Sequence, residues 1–367
     1  MQELQYAVVD AHGTAFSYID SGPPLDSAIS ATYVTVFAIH GYLFSAHVFQ
    51  NIIRLAPKYG IRIVAINRRD YPGSSPLSPE DNTIQSDGSD DQKSTFLRTR
   101  SIEFGTFISH FVNQHNLPPV SEDGKTGGIA LLGWSLGIAF VHAIISSLDS
   151  FPAEIQSQFR GHLRAAILHD PPSIALGIPL PPQAWSPLVD TSIPPETRDP
   201  MFIQWVTTYF AHGDLSKRDL ANISFVIPST TKIPSIFTMT AEEKAQIVSP
   251  SCNSDMIFML YLNQLFRPSY RKALFDREWR RRVPNMKVWI IAGDCAPPVS
   301  IPAVWDLETE DAAEGGGSLN TRWIKGGSHL VSKASTFSTS VTYLIPSIQL
   351  HWDDPETMLE AIVDSLV

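Results

Sequence analysis

Apolar and polar positions follow three different rhythms along this 367-residue chain. Residues 6–22 alternate and break at Gly13 and at Ser21-Gly22-Pro23-Pro24, which predicts a hairpin of two strands. Short apolar runs at 33–39, 61–66, 129–132, 163–168, 287–292 and 321–324 predict buried strands. Between them, apolar residues recur at helical spacing in 48–57, 96–115, 136–148, 201–210, 255–275 and 355–367. The clearest case is Phe104, Phe107, Ile108, Phe111 and Val112. Residues 78–94 are polar, with Glu80, Asp81, Asp87, Asp90 and Asp91 against Lys93, and predict a mobile solvated loop. Strand–helix alternation in this order predicts an α/β fold: a mostly parallel sheet flanked by helices on both faces. Ligands of such sheets bind beyond the carboxyl ends of the strands.

Composition narrows the field. With 43% hydrophobic and 17% charged residues, neither a disordered chain nor a coiled coil is expected. A net charge of −10 argues against a protein built to grip nucleic acid. Cys252 and Cys295 are too few for a disulfide framework. The length allows two domains, or one domain carrying a sizeable insertion. Residues 127–145 lack a formal charge and are long enough to span a bilayer. Four glycines and a strand-like first half make that stretch a buried strand and helix instead. No signal peptide or membrane span is read, so a cytoplasmic location is expected.

The chemistry begins at Gly133-Trp134-Ser135-Leu136-Gly137, a G-x-S-x-G motif after an apolar strand and ahead of a helix. That is the placement of a nucleophile elbow, whose sharp turn requires flanking residues without a Cβ. A serine hydroxyl needs a neighbouring base to become a nucleophile. Of eleven histidines, His329 is the best base, after the last strand and downstream of the serine. His351 is the runner-up, and His169 is expected to pack or hydrogen-bond locally. The acid that orients the base has two candidates at strand ends, Asp170 and Asp294.

At these residues the chain resembles the α/β-hydrolase fold superfamily. The resemblance is carried by His40-Gly41 after the third strand, the Asp70-Tyr71-Pro72-Gly73-Ser74-Ser75 turn, the elbow and the Gly326-Gly327-Ser328-His329 turn. It covers most of the chain outside 171–283. It implies a serine hydrolase with a Ser-His-Asp triad. Family members usually place the acid a few residues past the glycine ending the seventh strand, where Ala296 stands here. Others place it at the end of the sixth strand, which matches Asp170, so Asp170 is favoured over Asp294. The oxyanion donors implied are the amides of Leu136 and Tyr42, with Leu43 as a fallback for the second. His40 is expected to prop that loop, and Trp134 and Tyr42 to contact substrate. A core of 1–170 and 284–367 is then expected, with 171–283 as a helical lid between strands six and seven. Its aromatic residues, Trp185, Phe202, Trp205, Tyr209, Phe210, Phe258, Tyr261 and Phe266, favour a small apolar or aromatic substrate.

One stretch departs from the family pattern. Members enter their last helix soon after the histidine, whereas 331–350 intervenes here, rich in Ser, Thr and apolar residues. It reads as an irregular insertion, of the composition that translated non-coding sequence would have. The expectation is a hydrolase of carboxylic esters or lactones that works through an acyl-enzyme. It needs no cofactor or metal, and its partner is a small-molecule substrate. A ligand-binding protein without turnover, and an acyltransferase or thioesterase on the same triad, are the alternatives.

Overall fold

A computed structural model describes residues 2–25, 32–249, 253–329 and 351–367. The predicted hairpin is β1 (Gln5–Val8) and β2 (Ala15–Asp20). Then follow β3 (Val34–Ile39), α1 (Gln50–Leu55), β4 (Ile61–Ile66), α2 (Pro79–Asp87) and α3 (Asp90–His115). Next come β5 (Ile129–Trp134), α4 (Gly137–Ser146), α5 (Ala153–His162) and β6 (Leu163–His169). After β6 the chain forms α6 (Pro195–Val206), α7 (Ala241–Ile247), α8 (Asn253–Tyr261), α9 (Asn263–Leu274) and α10 (Arg277–Arg280). It then returns to the sheet as β7 (Lys287–Gly293), followed by α11 (Ile301–Ala313), β8 (Asn320–Ile324) and α12 (Pro355–Ser365).

The eight strands form one sheet in the order β1-β2-β4-β3-β5-β6-β7-β8. Strand β2 runs antiparallel to both its neighbours, β1 and β4; from β4 through β3, β5, β6 and β7 to β8 the strands pair in parallel. Strands β3 to β6 are buried along their full length, which is why they read as continuous apolar runs rather than alternating ones. Phe104, Phe107 and Phe111 of α3 meet Phe16, Tyr18 and Phe37 of the sheet, mostly edge to face. Each such side chain contributes roughly 1.5–3 kcal/mol through removal from water. Helices α1 and α12 pack together, as do α3 and α4, and α4 lies on β3 and β5.

One local expectation changes. Residues 78–94 are not a loop: they hold α2 and the start of α3. Ser78 with Asp81, and Ser89 with Gln92, form reciprocal capping boxes that start each helix. Polarity there reports exposure, not irregular backbone. The apolar stretch 127–145 divides into β5 and the ten-residue α4, and no helix among the described residues is long and apolar enough to cross a membrane. The interval between β6 and β7 adds no strand to the sheet among the described residues; one isolated bridge joins Phe44 to Val248. The stretch 331–350 and Cys252 lie outside the described residues.

Candidate active site

Ser135 sits between β5 and α4 with φ of 53°, a left-handed conformation that costs a non-glycine residue roughly 1–2 kcal/mol. Its neighbours hold it there. The Ser135 amide donates to His169 O at 3.0 Å, and its carbonyl accepts from Ile138 at 3.1 Å. A Cβ on Gly137 would lie 2.1 Å from Ile39 O, and one on Gly133 would lie 2.6 Å from the Ile138 Cα. Only glycine lets α4 start this close to β3, so the motif is dictated by packing at the turn. Gly41 approaches from the other side: a Cβ there would stand 2.9 Å from the Ser135 Cβ.

Asp170 directly follows β6 with φ of 47° and is fully buried. Its amide extends the ladder to Ile291 O at 2.9 Å, and its Oδ1 accepts from Gly293 N at 3.0 Å. Its Oδ2 lies 3.6 Å from His329 Nδ1 and 3.7 Å from His169 Nδ1. His169 also has Nδ1 within 3.2 Å of Ile291 O, and burial, opposed by the Asp170 charge, pulls its pKa below the usual value. A neutral His169 donating to that carbonyl follows, as a locally bonded histidine would.

His329 is buried, and its ring lies 5.0 Å from that of Trp134, whose Nε1 donates to His329 O at 3.2 Å. Trp134, expected in substrate contact, is placed behind the site instead, packed on Phe44, Phe49 and His351. It is the last residue of β5, where successive side chains leave opposite faces of the sheet. His351 is fully buried between Trp134 and Phe49, and burial keeps its pKa well below the usual value. It is absent from the cavity that holds Ser135. Asp294 is directed elsewhere: its Oδ1 accepts from Gly326 N at 2.6 Å.

That cavity is lined by Ser135, Leu136, Tyr42 and His329 from the ends of the strands. Ile174, Leu188, Phe202, Trp205, Met256 and Met259, among others, come from the interval between β6 and β7. Among the described residues, no ionisable side chain other than Tyr42 and His329 lines it. Tyr42 packs on Phe202 and donates its hydroxyl to Asp199 at 3.0 Å. Of the other aromatic residues expected to line a pocket, Tyr209, Phe210, Phe258 and Phe266 are buried in packing, and Tyr261 is exposed. The Leu43 amide donates to Tyr71 OH at 3.1 Å. Leu136 caps α4 at its N-terminus, where a helix leaves its first amides without partners inside the helix. Among the described residues no group of three or more His, Cys, Asp or Glu side chains is arranged to hold a metal ion.

His40 is buried and neutral: burial first, and then the Arg68 charge, hold its pKa well below the usual value. Its Nε2 accepts from the Arg68 amide at 3.2 Å, so Nδ1 carries the proton and donates to Gly41 O at 3.0 Å. Behind it lies a group made of Arg68, Tyr71 and Asp255, of which only Tyr71 falls in a motif read from the sequence. One signal is available: Asp255 is a lone charge in the apolar run Asp255-Met256-Ile257-Phe258-Met259-Leu260.

No family model matches the sequence, and no curated protein matches it. Solved structures do. The chain is similar to a proline iminopeptidase-related protein from Thermus thermophilus, at 14% identity and a TM-score of 0.50, over 100% of this chain and 97% of that one. The chain has the α/β-hydrolase fold. Also similar are a thioesterase domain from the curacin biosynthetic pathway (16% identity, TM-score 0.49, 99% of each chain) and the peroxisomal alpha-beta-hydrolase Lpx1 of Saccharomyces cerevisiae (14%, 0.47, 99% of this chain and 88% of that one). Within the α/β-hydrolase fold, Ser135, Asp170 and His329 leave β5, β6 and β8 at the carboxyl edge of the sheet.

Proposed function

We propose that the protein is a serine hydrolase that cleaves a carboxylic ester or lactone of a small apolar or aromatic substrate. The observation that carries this reading is Ser135 held at positive φ beside an apolar cavity that His329 also lines, with Asp170 Oδ2 3.6 Å behind the histidine. Ser135 Oγ attacks the carbonyl carbon while His329 Nε2 takes its proton. The C–O bond then breaks, the leaving alcohol collects that proton, and water repeats the sequence on the acyl-enzyme. Asp170 holds the His329 ring with Nδ1 protonated and offsets the charge that develops on it. The 3.6 Å separation is longer than a hydrogen bond, as is common before substrate closes such a site.

The amides of Leu136 and Tyr42 receive the oxyanion, a contribution of about 10²–10³ in rate for one such donor. Residues 171–283 act as the lid, and the apolar walls they supply select an uncharged acyl group. A fluorophosphonate probe tests the reading: it should add mass at Ser135, and the adduct should vanish in Ser135→Ala. Turnover of short p-nitrophenyl esters should disappear with it. No labelling of the folded chain would overturn the enzyme and favour a protein that only holds a ligand. Labelling with product formed on an added alcohol, rather than on water, would identify an acyltransferase.

A further inference from the structure

We infer that Arg68 is a positioning residue for the oxyanion hole, and that Asp255 ties its grip to helix α8 over the cavity. The inference rests on the esterase reading above. A trans peptide is planar, so its C=O and N–H point in opposite directions and turn together. The carbonyl of Gly41 and the amide of Tyr42 belong to one such peptide. Gly41 lies against the nucleophile, with room for no Cβ beside Ser135. Its oxygen is held from behind by two donors, Arg68 Nη2 at 3.1 Å and His40 Nδ1 at 3.0 Å. Fixing that oxygen aims the Tyr42 N–H. Two donors on the carbonyl also polarise the peptide, which strengthens the N–H opposite.

The same cluster fixes the next peptide. Tyr71 OH accepts from the Leu43 amide and from Arg68 Nη2, each at 3.1 Å, and donates to Asp255 Oδ2 at 2.5 Å. Tyr42 is therefore pinned on both sides by one set of side chains. Arg68 is held in turn by a two-pronged pair with Asp255, 2.5 Å on each prong, and by the rings of Tyr71 and Phe140 on its faces. Arg68 is 3% and Asp255 4% exposed. A pair buried this deeply gains little stability over apolar side chains of similar volume. Its placement is better accounted for by what it orients. Asp255 begins the run on α8 that continues with Met256, Met259 and Leu260, all lining the cavity. A substrate that seats α8 also seats Arg68, and so the oxyanion peptide.

The test uses the full chain and a p-nitrophenyl ester, with a trifluoromethyl ketone as mimic of the tetrahedral state. Arg68→Met should lower kcat about 100-fold, the scale of one oxyanion donor, with KM changed less than about threefold. Affinity for the ketone should fall in step with kcat. Because Arg68→Met leaves Asp255 buried without a partner, Arg68→Met/Asp255→Leu is the deciding variant. It should fold, by circular dichroism and thermal melting, and show the same loss. A folded double variant with near-normal kcat and ketone affinity overturns the inference and leaves the esterase reading standing. An unmodified chain that neither turns over ester nor takes the fluorophosphonate overturns both.

Discussion

Asp170 and Asp294 leave the same edge of the sheet one strand apart, after β6 and β7, and enter different surroundings. Asp170 is fully buried: one carboxylate oxygen takes the Gly293 amide, and the other faces His329 and His169. Asp294 is half-buried and spends its Oδ1 on the amide of Gly326, while the Cys295 thiol lies 3.5 Å away. The backbone around it is stitched to the exit of β8, Asp294 N to Ile324 O and Cys295 N to Gly327 O. The turn after β8 therefore folds down over Asp294 and carries His329 past it, onto the aspartate of the neighbouring strand. Which acid meets the histidine is decided by the path of that turn, not by distance along the sequence.

The largest expected effect separates the two directly. Asp170→Asn should lower kcat for ester hydrolysis about 10³–10⁴-fold, the cost of losing the group that orients a catalytic histidine. Asp294→Asn should leave kcat within about threefold, and steady-state kinetics that reversed the pair would exchange their roles. The next effect is chemical. Burial, and then the Asp294 charge, push the Cys295 thiol up to about 12 from 9.0, so its iodoacetamide alkylation should run about 1000-fold slower than that of an ordinary thiol, read by mass spectrometry. Rapid alkylation at Cys295 of the native protein would mean that the β7 end opens to solvent.

A third effect appears with pH. His351 stays neutral in the folded chain because burial depresses its pKa, and neither ring nitrogen has a partner among the described residues. The unfolded chain takes up the proton first, so this contribution to stability is complete above pH 6.5 and is lost as pH falls below it. His351→Phe should flatten that acid loss by up to about 1.4 kcal/mol per pH unit in denaturant titrations. An unchanged slope would place the acid sensitivity elsewhere. The smallest effect is on the wet side: Asp294→Asn should cost about 1 kcal/mol of stability, through weakening of one charge-assisted bond to Gly326, seen as a lower melting temperature.

Much of this contrast is local, and local features are legible in a sequence. Gly133 and Gly137 announce the elbow because backbone at 2.1–2.6 Å excludes any Cβ. The buried strands announce themselves through unbroken apolar runs. What escapes is of two kinds. Ser78 and Ser89 cap helices in a stretch whose acidity suggests only solvent, since charge marks exposure and says little about φ and ψ. Arg68 and Asp255 stand 187 positions apart, and no spacing rule links a strand end to a distant helix. The choice between Asp170 and Asp294 lies between these cases: both satisfy the same strand-end pattern, the resemblance favours Asp170, and the return of the chain after β8 brings His329 to it.

The origin of the cavity walls has a consequence for change over time. The proposed reacting groups sit on turns whose geometry tolerates almost no variation: Gly137 against Ile39, Gly41 against Ser135, Asp170 at positive φ. Leu180, Leu188, Val189 and Leu260 come instead from the interval between β6 and β7, outside the sheet, and face the same cavity. Inheritance can therefore rework the second set while leaving the first intact. A mutational library confined to Leu180, Leu188 and Val189, which are not on α8, would search new substrates for the proposed esterase while leaving the elbow and the Arg68 group untouched.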